Sequence, residues 1–170
     1  MIWPPKFFGD FLKMKIKHFL TFLLLIISSN QAFSCDDKYI EKMSGLIEHA
    51  REETDGIASE NMPTSVILAQ AILETGNGKS YSAKVRKNHF GLSTKKGLMS
   101  FESSMDSVFK YFYTLNTKPY YKKLRSKLSK GETNVERILG VFASVYAEDK
   151  GYKSKVTNVI DSCQLARFDQ

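Results

Sequence analysis

Apolar residues recur at Ile40, Met43, Ile47 and Ala50 within residues 37–53. This three- and four-residue spacing is that of an amphipathic helix. Thr54-Asp55-Gly56 ends the pattern, and Met62-Pro63-Thr64 starts a second helix with Thr64 as its expected cap. From Val66 to Leu73 only Gln70 is polar, so this helix is predicted to be central and packed on all sides. The period changes over residues 91–101, where Lys95-Lys96-Gly97 separates two short arms and predicts a small hairpin. Ser103-Ser104-Met105-Asp106 resembles a capping box ahead of the stripe Met105, Val108, Phe109, Phe112 and Leu115. Thr117-Lys118-Pro119 opens a further helix carrying Tyr120, Tyr121 and Leu124. Thr133-Asn134-Val135-Glu136 reads as a second capping box, leading Val135, Ile138, Leu139, Phe142 and Tyr146. Glu148-Asp149-Lys150-Gly151 breaks the chain before a last helix over residues 152–165. The pattern predicts a mainly α fold of six or seven helices with one small β element.

The N-terminal stretch follows a different logic. Met14-Lys15-Ile16-Lys17-His18 is a short basic lead, and Phe19 to Ile27 is apolar except for Thr21. Ala32-Phe33-Ser34 then resembles a signal cleavage site, so residues 1–34 read as a secretory signal whose true start is possible at Met14. The apolar run is too short to span a bilayer. Lipidation of Cys35 is the less favoured alternative, because Phe33 fits poorly beside a lipidated cysteine. Residues 35–170 are then one domain, with no stable membrane anchor expected and a monomer as the expected state.

Charge and cysteine content narrow the classes. Hydrophobic residues make up 42% and charged residues 25%, an ordinary globular balance that excludes disorder. Removal of Lys6, Lys13, Lys15, Lys17 and Asp10 with the leader lowers the formal net charge from +7 to +4. That value suits loose attraction to an anionic wall and is too weak to argue for nucleic acid. The run Lys84-Val85-Arg86-Lys87 reads as a solvated face, or alternatively as a contact with acidic wall polymer. Export implies an oxidising compartment, which favours a disulfide between Cys35 and Cys163. The alternative is a buried thiol, since Cys163 shares a helical stripe with Val156, Val159 and Ile160. His18, His49 and His89 make no metal site, no glycine motif cradles a phosphate, and no cofactor is expected.

The chemistry concentrates at Glu74. It ends the apolar helix and is followed at once by Thr75-Gly76-Asn77-Gly78. Burial beside apolar groups disfavours a carboxylate and raises its pKa, which is what a general acid needs near neutral pH. In glycoside cleavage such an acid protonates the leaving oxygen. The two glycines would remove bulk and let a polymer approach. A helix-end glutamate facing solvent is the plain alternative.

Four ordered blocks sharpen this reading: MPTSVILAQAILETGNGKS, NHFGL, FESSMDSVFKYFYTLNTKPYYKKLR and YAEDKGYKSKV. Their order and spacing resemble the Bax-like and flagellar-type glucosaminidases of glycoside hydrolase family 73, over residues 37–164. That resemblance implies a lysozyme-like helical fold with a small β lobe and cleavage of peptidoglycan glycan strands at N-acetylglucosamine. It implies Glu74 as the catalytic acid and Tyr146 as the aromatic opposite it in the cleft. It further implies Gly76, Gly78, Ser80, Asn88, Phe90, Gly91 and Tyr152 as substrate-binding positions, with His89 standing where leucine is usual.

A second carboxylate is harder to place. No Asp or Glu lies between Glu74 and Glu102, so the β lobe is acid-free. Glu102 is the nearest candidate, with Asp106, Glu148 and Asp149 behind it, and an assisting substrate acetamido group would remove the need for any of them. A lytic transglycosylase on the same fold and an inactive peptidoglycan-binding module are the rival readings.

Overall fold

A computed structural model describes residues 34–169; the expected leader, apart from Ser34, lies outside the described residues. Eight α-helices and one two-stranded sheet occur among the described residues. Helix α1 spans Asp37–Glu52 and is capped by Asp36, whose side chain accepts from the Tyr39 amide. Its buried face is Tyr39, Ile40, Met43, Ile47 and Ala50, the predicted stripe with one aromatic added. The short helix α2, Ile57–Asn61, occupies the break after Gly56 and was not legible as a helix in the sequence.

Helix α3, Thr64–Thr75, is the centre of the fold. Every residue from Thr64 to Ile72 is buried. It packs against α1 on one side, and against α8 (Tyr152–Ser162) and the 3-10 turn Leu165–Phe168 on the other. Its N-terminus departs from expectation. Thr64 is the first helical residue rather than the cap, and its hydroxyl is engaged with Arg51 and Glu48. The orphan helix amides are served from the far end of the chain instead. Asp169 accepts from the Ser65 amide at 2.7 Å and from the Ser65 hydroxyl at 2.6 Å.

Helix α4 is a single turn, Tyr81–Lys84. The hairpin follows, β1 Ser93–Thr94 and β2 Gly97–Leu98, antiparallel with Ser93 opposite Leu98 and Thr94 opposite Gly97. Helix α5, Ser104–Thr117, has the expected capping box, with Ser103 and Asp106 satisfying each other's backbone amides. Val108, Phe112 and Leu115 are buried, as is Tyr111, which the stripe did not include. A 3-10 turn, Pro119–Tyr121, leads to α6, Lys122–Leu128. Helix α7, Val135–Tyr146, is capped by Asn134 rather than Thr133. Glu136 therefore makes no box and instead meets Lys153 and Thr157 of α8.

Cys35 and Cys163 form a disulfide across a sequence separation of 128, with Cα atoms 5.6 Å apart. The buried-thiol alternative does not hold, and the Cys35 sulfur is committed to Cys163 rather than to a lipid. Among the described residues no helix is long and apolar enough to cross a membrane.

Candidate active site

Glu74 lies in the last turn of α3, at the mouth of a cleft of about 460 Å³. The cleft runs between the hairpin on one side and the C-terminal ends of α5 and α7 on the other. Tyr152 reaches Glu74 from α8, its hydroxyl donating to Oε1 at 3.0 Å. The second oxygen, Oε2, faces the backbone of Gly91, where a Cβ atom would stand 2.8 Å from it. Gly91 also has φ +61°, so both its backbone and its neighbour exclude a side chain. Burial raises the Glu74 pKa, and the Tyr152 hydrogen bond opposes part of that rise. The negative end of the α3 macrodipole acts in the same direction as burial. The carboxyl is therefore held partly desolvated, with one oxygen tethered and the other aimed along the loop.

Tyr146 lines the cleft beside Glu74, and its ring stacks on Tyr152 with centroids 5.5 Å apart. Its hydroxyl donates to the Phe90 carbonyl. Burial pushes both phenols well above their ordinary values, so both stay protonated. Phe90 is buried and stacks on Tyr111, and it too borders the cleft.

The other expected substrate contacts do different work. Gly76 is the left-handed C-cap of α3 and borders open space, away from the cleft lining. Gly78 also has positive φ, and a Cβ there would meet the Tyr39 ring at 2.5 Å. The close approach that requires glycine is thus made by a tyrosine rather than by a polymer. Ser80 caps α4 by accepting from the Ala83 amide. Asn88 is fully buried, donating to the Leu92 and Met99 carbonyls and accepting from the Phe90 and Leu92 amides. It ties the loop that presents Gly91 to the hairpin base. Arg86 braces the same hairpin through the Leu98 carbonyl and the Ser100 hydroxyl, so the basic run is only partly a solvated face.

Glu102 is exposed just before α5 and is not among the residues bordering the cleft. Asp106 is used by its capping box, Asp149 pairs with Lys155, and Glu148 is exposed. Among the described residues Glu74 is the one carboxylate that lines the cleft. The sequence pattern missed the wall that faces the hairpin. Lys110, Thr114 and Lys118 line it at four-residue intervals, followed by Tyr120 and Tyr121. That spacing is a stripe flanking the core face of α5 and ending on its C-cap, Lys118, legible only once the cleft's position is known.

His89 finds partners on both ring nitrogens. Nδ1 lies 2.9 Å from the Tyr39 hydroxyl and Nε2 lies 2.9 Å from the Ser104 hydroxyl. Burial, with Lys42 and Lys87 nearby, lowers its pKa to about 4. It is a neutral strut between α1 and α5. Among the described residues no group of three or more His, Cys, Asp or Glu side chains is placed to hold a metal ion.

Residues 54–165 match the family described as glucosaminidase, mannosyl-glycoprotein endo-beta-N-acetylglucosaminidase. The chain belongs to this glucosaminidase family. The glucosaminidase fold here is similar to the crystal structure of the catalytic domain of the autolysin Auto from Listeria monocytogenes. The TM-score is 0.62 at 19% identity, covering 98% of this chain and 100% of that one. At that identity the likeness speaks for the fold, a lysozyme-like helical domain with a small β lobe. No curated protein matches the chain. Family membership makes this glucosaminidase a glycosidase, and the matched segment contains Glu74, Gly91, Tyr146 and Tyr152 together.

Proposed function

We propose that this glucosaminidase is an exported hydrolase that cleaves peptidoglycan glycan strands at N-acetylglucosamine, with Glu74 as the general acid. The observation that carries the proposal is the half-buried Glu74 carboxyl at the cleft, with Oε1 held by Tyr152 and Oε2 against Gly91. A carboxyl so placed stays protonated to higher pH and can deliver its proton to a leaving glycosidic oxygen. The Cys35–Cys163 disulfide supports an oxidising compartment and hence export. Lys110 and Lys118 give the cleft a cationic wall suited to the carboxylates of peptidoglycan.

Among the described residues Glu74 is the one carboxylate lining the cleft, which favours assistance by the substrate's own acetamido group. Its carbonyl oxygen would attack the anomeric carbon while Glu74 protonates the departing oxygen, and water would later open the cyclic intermediate. Tyr146 suits this route. Its proton is given to the Phe90 carbonyl, which leaves its oxygen to accept from the acetamido N–H.

The test is Glu74→Gln, assayed on purified sacculi with folding checked separately. Loss of glycan cleavage by a folded variant supports the proposal, and full cleavage would remove Glu74 from the mechanism. A single cleft carboxylate also serves a lytic transglycosylase. Mass spectrometry of the products separates the two: reducing N-acetylglucosamine ends support the hydrolase, and anhydro-muramic ends the transglycosylase. Any Glu74-dependent turnover excludes an inactive binding module.

A further inference from the structure

One polar side chain interrupts the apolar run of α3. Gln70 is fully buried, four residues before Glu74 on the same helical face. Its two amide atoms have one partner each. Oε1 accepts from the Tyr111 hydroxyl at 2.5 Å, and Nε2 donates to the Tyr152 oxygen at 3.3 Å. Tyr152 in turn donates to Glu74 Oε1 at 3.0 Å. Four side chains from α3, α5 and α8 thus form one line of hydrogen bonds ending on the catalytic carboxyl.

The line has only one self-consistent direction. Tyr111 is fully buried, and the acceptor the structure gives its proton is Gln70 Oε1. That bond orients the amide, because an amide with its oxygen toward Tyr111 must present N–H to Tyr152. Tyr152 then receives a donor at its oxygen and must send its own proton onward to Glu74 Oε1. With the amide reversed, Tyr152 would have an oxygen acceptor at Gln70 competing with Glu74.

We propose that Gln70 and Tyr111 are positioning residues that fix the direction of the Tyr152 hydrogen bond, so that Oε1 of Glu74 is always the accepting oxygen and Oε2 always bears the transferable proton. This deepens the reading of Glu74 as general acid and rests on it. Oε2 is the oxygen that faces Gly91, where the missing side chain leaves the loop backbone close by. A carboxyl free to rotate would present its proton from either oxygen, and half of those arrangements would point it back at Tyr152. Other groups near Glu74 are Tyr146 on α7, Tyr120 and Tyr121 in the 3-10 turn, and Lys110 and Lys118 along α5 and at its end. None of these donates a hydrogen bond to the carboxyl among the described residues.

The experiment is the Tyr111→Phe variant, which deletes one hydroxyl remote from the cleft. Without that proton the Gln70 amide is free to turn, Tyr152 gains a second acceptor, and the Glu74 carboxylate loses part of its stabilising donor. The alkaline limb of kcat/KM on sacculi, and the Glu74 carboxyl titration followed by carbon NMR on labelled protein, should both move to higher pH. A full loss of the donor, set by Tyr152→Phe, corresponds to a shift of about one unit. The double variant should shift no further than Tyr152→Phe alone, because Tyr111 acts through Tyr152. Tyr111→Phe that lowers the melting temperature and leaves both titrations in place would overturn the proposal. So would shifts that add in the double variant. The NMR titration does not depend on turnover, so it tests the relay even if Glu74→Gln keeps full activity and the general-acid reading fails. The reverse case, an inactive Glu74→Gln with an unmoved Tyr111→Phe titration, rejects the relay alone.

Discussion

Gly91→Ala isolates what the loop backbone does for Glu74. Two costs enter, and they can be separated. The first is conformational: alanine at φ +61° costs about 1–2 kcal/mol relative to glycine. The second is local: the new Cβ would lie 2.8 Å from Glu74 Oε2, closer than real Cβ contacts allow. The carboxyl must turn, yet its other oxygen is tied to Tyr152 at 3.0 Å, so turning weakens that bond. A displacement of this kind near 1 Å costs on the order of 10²-fold in rate. Gly131→Ala is the control, since Gly131 has φ +75° and nothing within 4 Å of its missing Cβ. Urea denaturation should show a loss of about 1–2 kcal/mol for Gly131→Ala and at least that for Gly91→Ala. Turbidity loss of sacculi should be about 10- to 100-fold slower for Gly91→Ala and near parental for Gly131→Ala. Equal rates in the two variants would refute the idea that Gly91 sets the position of the acid.

Three further outcomes test other parts of the structure. His89 has its pKa lowered to about 4 from 6.5, so the unfolded chain binds more protons than the folded one between those values. Its contribution is complete above pH 6.5 and is lost as pH falls toward 4, on the order of 2–3 kcal/mol. Glu74, with its pKa raised above 4.5, works in the opposite sense, favouring the folded state as pH falls through that raised value, so the titration belongs in a Glu74→Gln background. Flat urea midpoints across that window would contradict the neutral-strut reading. Reduction of Cys35–Cys163 opens a loop of 128 residues and should cost about 4–5 kcal/mol in the chain-entropy model, read as a lower urea midpoint under reductant. An unchanged midpoint would show that the bridge constrains nothing in the unfolded chain. Lys110→Gln with Lys118→Gln should raise KM on sacculi several-fold and flatten its salt dependence while kcat holds. An unaltered salt profile would deny the cationic wall a role.

The longer helices were legible because their apolar spacing is local, whereas α2 and α4 are too short to show a period. Glu74 stood out as an acid at the end of an otherwise apolar helix. The caps of α3 and α7 were misplaced for different reasons. Asn134 stands one residue beyond a plausible threonine, whereas Asp169 lies 104 residues from Ser65, beyond the reach of any local motif. Gly78 illustrates a deeper ambiguity. A glycine that something must approach closely is visible in a sequence, but the approaching group, here Tyr39, is not. Asn88 and Ser80 were read as substrate contacts because they belong to the same short blocks as Glu74 and Gly91. Burial assigns Asn88 to holding the loop, and its capping bond to the Ala83 amide assigns Ser80 to starting α4. Lys110 and Lys118 escaped notice because a solvent-facing stripe carries no periodic apolar signal.

The bond from Asp169 to Ser65 has a consequence for the order of synthesis. A chain delivered N-terminus first presents the acid-bearing helix roughly a hundred residues before the carboxylate that caps it, and well before Cys163 arrives to meet Cys35. Until the tail emerges, α3 has bare amides at its start and lacks the packing of α8 and the final 3-10 turn. A prematurely released polypeptide would carry Glu74 without Tyr152 beside it. Assembly of the Glu74 site thereby waits on segments up to 104 positions further along the chain than the residues of α3 they meet.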